Sequence, residues 1–535
     1  MAAMTATVSA PARQSPASPR RSRRIGPGVA FPSLVGLLNA IAFAIVRPGV
    51  GDLQAALARE SAARNGVGLT YWYGWFGGGS TPGNYSVITP TLSAWFGAVI
   101  VGVVATAAIT PLAWRALAGL PHQAAGTWVA VGVSALNLWS GRIPFALGCV
   151  VGIVAIIAAR ERWTLTAVVA TVVSSLCSPV TGAFVAFALA AAFLVEREYR
   201  KLIVAACLSC AATLLFVAIL FGTPGPQDYS IGSGLLTAGS ALMLLYARPH
   251  RTVRVVLWCT ALAAVVLAVV PNGMGSNFVR FPWICLPVAV IATATATPRW
   301  RVIAGVFPAL ALCANATAVD LVRAGQPSAS LSYYSSLVGQ LDGLPHLANY
   351  RLEVVGDPTI HTAAYALLGH AALAGGYETQ EQNSLNGILN EPARLNTTSY
   401  KVWLDNNAVG YVALDRTRTQ DYAEYTLVST TKLGYLTELS RNKRWILYRV
   451  SNPTPIVPAP QQLLSAGQAT MRIQVPCACS FYVRVRYSKF LGATATAAGT
   501  QTVATLADDG NGWTIVTTSA PGVYTFDGAF TRPLR

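Results

Sequence analysis

Between Val29 and residue 318 the chain is a succession of apolar runs of roughly 15–20 residues, separated by short loops that carry Arg and few acids. Runs of that length bury their backbone polar groups only as helices in a bilayer, so the repeated pattern predicts a polytopic α-helical membrane domain. The runs lie at 29–46, 93–112, 126–140, 143–159, 163–177, 180–195, 202–221, 231–247, 255–270, 282–297 and 302–318, which predicts eleven spans. Composition agrees: 53% of residues are apolar, 11% are charged, and the mean hydropathy is +0.48, values that exclude an ordinary soluble domain.

The formal net charge of +17 suggests a polyanion partner until the charges are located. Up to Val319 there are 21 Lys/Arg against six acids, and from Asp320 onward 17 against 15. The excess therefore sits among the apolar runs, where basic residues set topology instead of gripping nucleic acid. With the N-terminus inside, 16 of the 21 fall on cytoplasmic loops and five (Arg47, Arg59, Arg64, Arg142, Arg280) outside. That bias needs an odd number of spans, which places the tail outside a multi-pass plasma-membrane protein. Residues 1–28, rich in Ala, Pro, Ser and Arg, read as a disordered cytoplasmic tail, and 29–46 as a retained signal anchor. Ser178-Pro179-Val180-Thr181-Gly182 reads as a break at membrane depth.

Residues 29–319 form the membrane domain, with a large first outer loop at 47–92. Residues 320–451 read as an extracytoplasmic α/β domain, with strands at 350–355, 410–415 and 445–450 and a helix over 362–374. After the Pro-rich linker 452–460, alternation at 471–475, 481–487 and 513–517 predicts a β-sandwich over 461–535.

Ionisable groups on the outer side are few, so the candidate list is short. Asp52 opens a helical pattern through Arg64 and reads either as the N-cap of an interfacial helix or as a chemically active acid. Tyr71, Trp72, Trp75 and Tyr85 belong to a Gly-rich aromatic segment that suits a membrane-interface belt or a surface for stacking sugar and covering a prenyl chain. Arg142 and Arg280, the latter with Asn277 close by, either snorkel to headgroups or hold a phosphate bidentately. Asp228 reads as a turn residue or a second acid. His361 and His370 lack a third metal ligand at a diagnostic spacing, Cys477 and Cys479 read as unbridged neighbours on one strand face, and Arg484 and Arg486 as a solvated face.

Asp52 just after the first span, with Pro82-Gly-Asn-Tyr85-Ser-Val-Ile-Thr-Pro90, Gly141-Arg-Ile-Pro-Phe-Ala-Leu-Gly148, Ser178-Pro-Val-Thr-Gly182 and Gly275-Ser-Asn-Phe-Val-Arg280, resembles the C-type (GT-C) membrane glycosyltransferases, and more closely actinobacterial polytopic proteins placed near them. The tail shares the likeness through Tyr350–Val355 and Trp403-Leu-Asp-Asn-Asn-Ala408. The resemblance implies a sugar donor on polyprenyl phosphate, a cell-envelope glycan or lipid acceptor attacking on the outer face, and an acid in the first outer loop as base or metal ligand. Asp52 occupies that position, but Leu53 follows it where many members carry a paired acid. No cofactor is required by this reading, although a divalent cation is compatible with it. The competing classes are a transporter or lipid-carrier flippase, and a non-catalytic envelope-assembly protein that binds glycan through the tail.

Overall fold

A computed structural model describes residues 27–223, 225–296, 298–355, 362–417, 422–497 and 500–528. The N-terminal tail and His361 of the sequence reading lie outside the described residues.

Helices account for the first part of the chain: α1 (Pro27–Val46), α2 (Gly51–Arg64), α3 (Pro82–Tyr85), α4 (Thr89–Phe96), α5 (Ala98–Ala116), α6 (Gln123–Trp139), α7 (Ile143–Arg160), α8 (Thr164–Cys177), α9 (Pro179–Phe193), α10 (Arg200–Phe221), α11 (Ile231–Leu244), α12 (Arg251–Val269), α13 (Leu286–Thr293) and α14 (Trp300–Ala324). Each apolar run of the sequence is helical, although the run at 93–112 is shared between α4 and α5 and the run at 282–297 opens in a turn of π-helix before α13. Seven are long and apolar enough to cross a membrane: α1, α5, α7, α10, α12, the compound Gly275–Thr293 and α14. By contrast α8, with 14 residues, spans only ~21 Å, so eleven full-length crossings do not follow from length and composition. Leu34, Leu208, Phe216, Leu262 and Phe307 are exposed on these helices, as a lipid-facing surface requires.

Two boundaries differ from the sequence reading. The helix expected at 93–112 is divided at Gly97, whose φ of +88° ends α4 and starts α5. The expected boundary at Asp320 falls inside α14, which continues to Ala324. The break at Ser178 is present: its extended backbone (φ −156°, ψ 115°) separates α8 from α9. The freed carbonyls at the end of α8 are taken up by the first loop, with Ser86 Oγ donating to the Cys177 carbonyl at 2.8 Å and the Val87 amide to that of Leu176 at 3.0 Å.

The tail adds α15 (Ser335–Leu341), β1 (Arg351–Val355), α16 (Thr362–Ala366), α17 (Thr379–Asn386), α18 (Thr397–Asn406), β2 (Val409–Asp415), α19 (Ala423–Thr430), β3 (Leu436–Arg441) and β4 (Trp445–Val450). A sheet ordered β1-β2-β4-β3, parallel only between β1 and β2, has β2 buried along its whole length at the centre. The helix expected to run to residue 374 stops at Ala366, because Gly369 (φ +86°) and the following turn carry the chain alongside β1, where Leu373 bridges Leu352 in parallel. There follow β5 (Gln462–Ala466), β6 (Thr470–Val475), β7 (Ser480–Arg486), β8 (Leu491–Ala497), β9 (Thr500–Val503), β10 (Thr505–Asp508), β11 (Trp513–Thr517) and β12 (Gly522–Gly528). They form sheets ordered β5-β6-β12-β8-β9 and β10-β11-β7. Met471, Ile473 and Val475 of one sheet meet Phe481, Val483 and Val516 of the other, the alternation that the sequence displays.

Cys477 and Cys479 are joined in a disulfide, against the sequence reading. They lie in the turn between β6 and β7, not on a strand, and the bend leaves their Cα atoms 5.5 Å apart, within bridging range. Arg486 is not simply solvated either: its guanidinium stacks on Trp513 at 3.9 Å, while the buried Arg351 donates to the Arg484 carbonyl.

Candidate functional site

The site forms where the tail meets the helical bundle. Asp52 stands in the first turn of α2, but Val50 occupies the N-cap and no side chain caps the helix, so the capping role is not realised. Its carboxylate instead makes three contacts from three distant parts of the chain. Tyr377 Oη donates to Asp52 Oδ1 at 2.7 Å; Arg142 Nε lies 3.4 Å and Arg280 Nη2 3.9 Å from Oδ2. Arg142 also binds Asp320 at 3.0 Å through Nη2. The four charged side chains are 16–27% exposed, so they are partly desolvated yet reachable.

Local sequence explains the placement. Pro144 near the start of α7 follows the left-handed Gly141 (φ +78°), where a Cβ would sit 2.4 Å from the Leu53 amide nitrogen. The close approach of this turn to α2 puts Arg142 beside Asp52. Arg280 sits between a 3₁₀ turn, Gly275–Val279, and one turn of π-helix, Phe281–Cys285, a backbone irregularity that aims the guanidinium toward Asp52 and over the Phe145 ring at 5.4 Å.

Behind Asp52 lies a second, buried layer. Arg59, two turns further along α2, is 4% exposed, forms an ion pair with Glu378 and covers the Tyr85 ring at 3.9 Å. Burial alone would lower the Arg59 guanidinium, and Glu378 more than offsets it, leaving Arg59 above its ordinary range. Glu381 is buried next to Glu378 and accepts a 3.4 Å contact from Asn84; burial and that neighbouring carboxylate push it well above the carboxylate range. Burial also holds the phenols of Tyr377 and Tyr85 above their usual range, which keeps Tyr377 a hydrogen-bond donor.

Beneath this cluster an apolar cavity of about 600 Å³ follows α7 from Phe145 to Arg160. Its near end is the Phe145 ring under Arg280 and Asn137, which donates to the Arg142 carbonyl at 3.3 Å; its far end is bordered by Glu196 and His250.

Of the sequence candidates, Asp52, Arg142 and Arg280 converge, and Tyr85 lies in the layer behind them. Asn277 is half-buried in the turn that presents Arg280. Asp228 is occupied elsewhere, accepting from Asn383 at 3.2 Å. Tyr71, Trp72 and Trp75 are neither a belt nor a stacking platform: all are 3% exposed or less, Trp72 and Trp75 stack at 4.0 Å, and Tyr71 packs into the β-sandwich core. The segment is an anchor for the tail, pinned where the Leu373 amide donates to the Gly74 carbonyl and Tyr73 to that of Gln468. Likewise α2 is not a lipid-facing interfacial helix; Leu53, Ala55, Ala58 and Ala62 are buried. Sequence reasoning missed Arg59, Asp320, Tyr377, Glu378 and Glu381. Arg59 carried a signal, since a spacing of seven from Asp52 puts both on one helix face.

A divalent cation does not fit these residues. The Asp52 oxygen that would bind it faces two guanidinium groups, and among the described residues no three His, Cys, Asp or Glu side chains gather as a ligand set.

Fold and site together define a polytopic membrane protein whose β-rich tail closes over one mouth of a helical bundle. Among solved structures the chain is similar to arabinofuranosyltransferase AftD from Mycobacteria, at 16% identity and a TM-score of 0.47 over 80% of this chain, and to a mutant of AftD at 13% and 0.43 over 93%. It is also similar to ArnT from Cupriavidus metallidurans bound to undecaprenyl phosphate, at 15% identity and 0.34, covering 79% of this chain and 97% of that one. The chain spans 40% and 60% of the two AftD chains. No family model matches the chain, and no curated protein matches it.

Proposed function

We propose that the chain is a membrane glycosyltransferase that moves a sugar from a polyprenyl-phosphate donor to a hydroxyl of an envelope glycan or lipid acceptor, on the outer face of the membrane. The observation that carries this reading is the proximity of three features: a partly exposed acid, two arginines on one of its oxygens, and an apolar cavity that begins at the Phe145 ring under Arg280. A polyprenyl chain is apolar and its phosphate anionic, so the cavity suits the chain and the Arg142/Arg280 pair suits the phosphate. Asp52 removes the acceptor proton as the hydroxyl oxygen attacks the anomeric carbon; the bond from that carbon to the phosphate oxygen breaks, and its electron pair leaves with the polyprenyl phosphate, whose charge the arginines stabilise. The sparse outward basic residues and the abundant basic residues of the opposite loops support a tail outside and an N-terminus inside.

The extent of the cavity along α7 favours a second reading, a carrier-lipid translocase. Purified protein given a polyprenyl-phosphate sugar and candidate acceptors separates the two. The transferase binds donor and releases free polyprenyl phosphate; binding without release would point to the translocase, and no binding would overturn both.

A further inference from the structure

The tail does more than cover the site. Between Tyr377 and Asn383 five side chains reach three parts of the helical region: Tyr377 to Asp52 and Glu378 to Arg59 on α2, Glu381 to Asn84 on α3, and Gln380 to the Gly225 carbonyl at 2.9 Å and Asn383 to Asp228 in the loop between α10 and α11. The segment is polar, so burial of apolar surface does not explain why it lies here.

We propose that Tyr377 is a positioning residue for Asp52, and that the Arg59–Glu378 pair fixes Tyr377, so that the active site is completed by the tail. The inference deepens the transferase reading and rests on it. A lone carboxylate in the first turn of a helix swings about its side-chain torsions. Arg142 and Arg280 both draw on Oδ2, which leaves the plane of the carboxylate undefined. Tyr377 grips the other oxygen, Oδ1, at 2.7 Å, and two anchors on two oxygens define the plane in which a proton is received.

The second link explains an otherwise costly feature. Arg59 is buried, yet its Nε and Nη1 make no hydrogen bond, so the ion pair recovers only part of the desolvation it requires. A buried pair of that kind contributes little stability, but it does set geometry. Arg59 is held against Tyr85 and the Trp75 ring, at 3.9 and 5.9 Å, and it reaches the residue next to Tyr377. Because Arg59 and Asp52 share a face of α2, the pair registers the tail against the helix that carries the acid.

The test compares Tyr377→Phe, Glu378→Gln, Arg59→Lys and Asp52→Asn as full-length protein in detergent, with donor binding and turnover of a polyprenyl-phosphate sugar read separately. Tyr377→Phe keeps the ring and should lower kcat ~10–100-fold while donor affinity changes less than ~3-fold, since the arginines remain. Glu378→Gln should show the same split, and Arg59→Lys, which keeps the charge, should retain more kcat than Glu378→Gln. If Tyr377→Phe fails to fold, the Glu378→Gln and Arg59→Lys pair gives the same reading. An inactive Asp52→Asn beside a fully active Tyr377→Phe would overturn the positioning role and leave the transferase reading standing. Equal losses of kcat and donor affinity in Tyr377→Phe would also overturn it, as a general disturbance of the fold. A fully active Asp52→Asn would remove Asp52 as the base and the positioning role with it, whereas parent protein that binds donor without turnover would remove the transferase reading itself.

Discussion

Replacing Arg59 by Met tests how the tail is held. The side chains of Arg59 and Glu378 are 4% and 9% exposed, so the pair is desolvated and solvent screening does not dilute it. Removing one member of a buried pair typically costs ~3–5 kcal/mol, because the other charge is left without a partner. Here the lower end applies, about 3 kcal/mol, since Arg59 Nε and Nη1 make no hydrogen bond in the parent and only the contact to Glu378 is lost. The double variant Arg59→Met with Glu378→Met removes both charges at similar volume. With two Arg59 nitrogens unpartnered in the parent, it should return to within ~1 kcal/mol of parent stability. Urea unfolding in detergent micelles, followed by tryptophan fluorescence, reports on this contact because the Trp75 ring is 5.9 Å from the guanidinium. A single variant within ~0.5 kcal/mol of the parent, or a double variant worse than both singles, would refute the reasoning.

Arg280→Lys keeps a charge but loses the planar fork and should weaken donor binding, and Arg280→Ala should weaken it further; parent-like affinity in both, by titration with a polyprenyl-phosphate sugar, would assign Arg280 to headgroups. Gly78→Ala places a Cβ 2.2 Å from Tyr71 Oη at φ +92°, whereas Gly97→Ala at φ +88° meets nothing within 4 Å. Both carry backbone strain of ~1–2 kcal/mol, and only the first adds a clash, so its unfolding midpoint should fall further. Burial raises Glu424 to about 7 despite donation from Tyr400 and Tyr422, each at 2.8 Å. The folded state then binds more protons than the unfolded one between 4.5 and about 7, so this contribution is fully present below 4.5 and is lost as pH rises through about 7. Urea midpoints measured from pH 4.5 to 8 should fall for the parent and flatten in Glu424→Gln.

Much of this architecture was legible because a bilayer leaves few choices. Every apolar run became helical, and in a region with six acids the ionisable groups Asp52, Arg142 and Arg280, on loops that the charge bias reads as external, stood out before any geometry was known. Their partners were hidden for the opposite reason. Tyr377, Glu378 and Glu381 lie in a polar stretch that reads as a solvated helix, and Tyr377 meets Asp52 across 325 positions, a pairing with no periodic trace. The aromatic segment misled because Trp72 and Trp75 have the same composition whether they face headgroups or fill a core; only the tail sheets, packed around them, decide which. The Cys477–Cys479 bridge escaped because strand alternation was extended through a turn.

The central claim is that Asp52 acts as the base, and its most direct measurement is the rate at which Asp52→Asn releases polyprenyl phosphate from a polyprenyl-phosphate sugar, with acceptor present and donor occupancy matched to the parent. Asparagine preserves the size and can still contact Tyr377 and the arginines, so binding should survive while release falls ~10²–10⁴-fold. Release within twofold of the parent at equal occupancy would contradict the account.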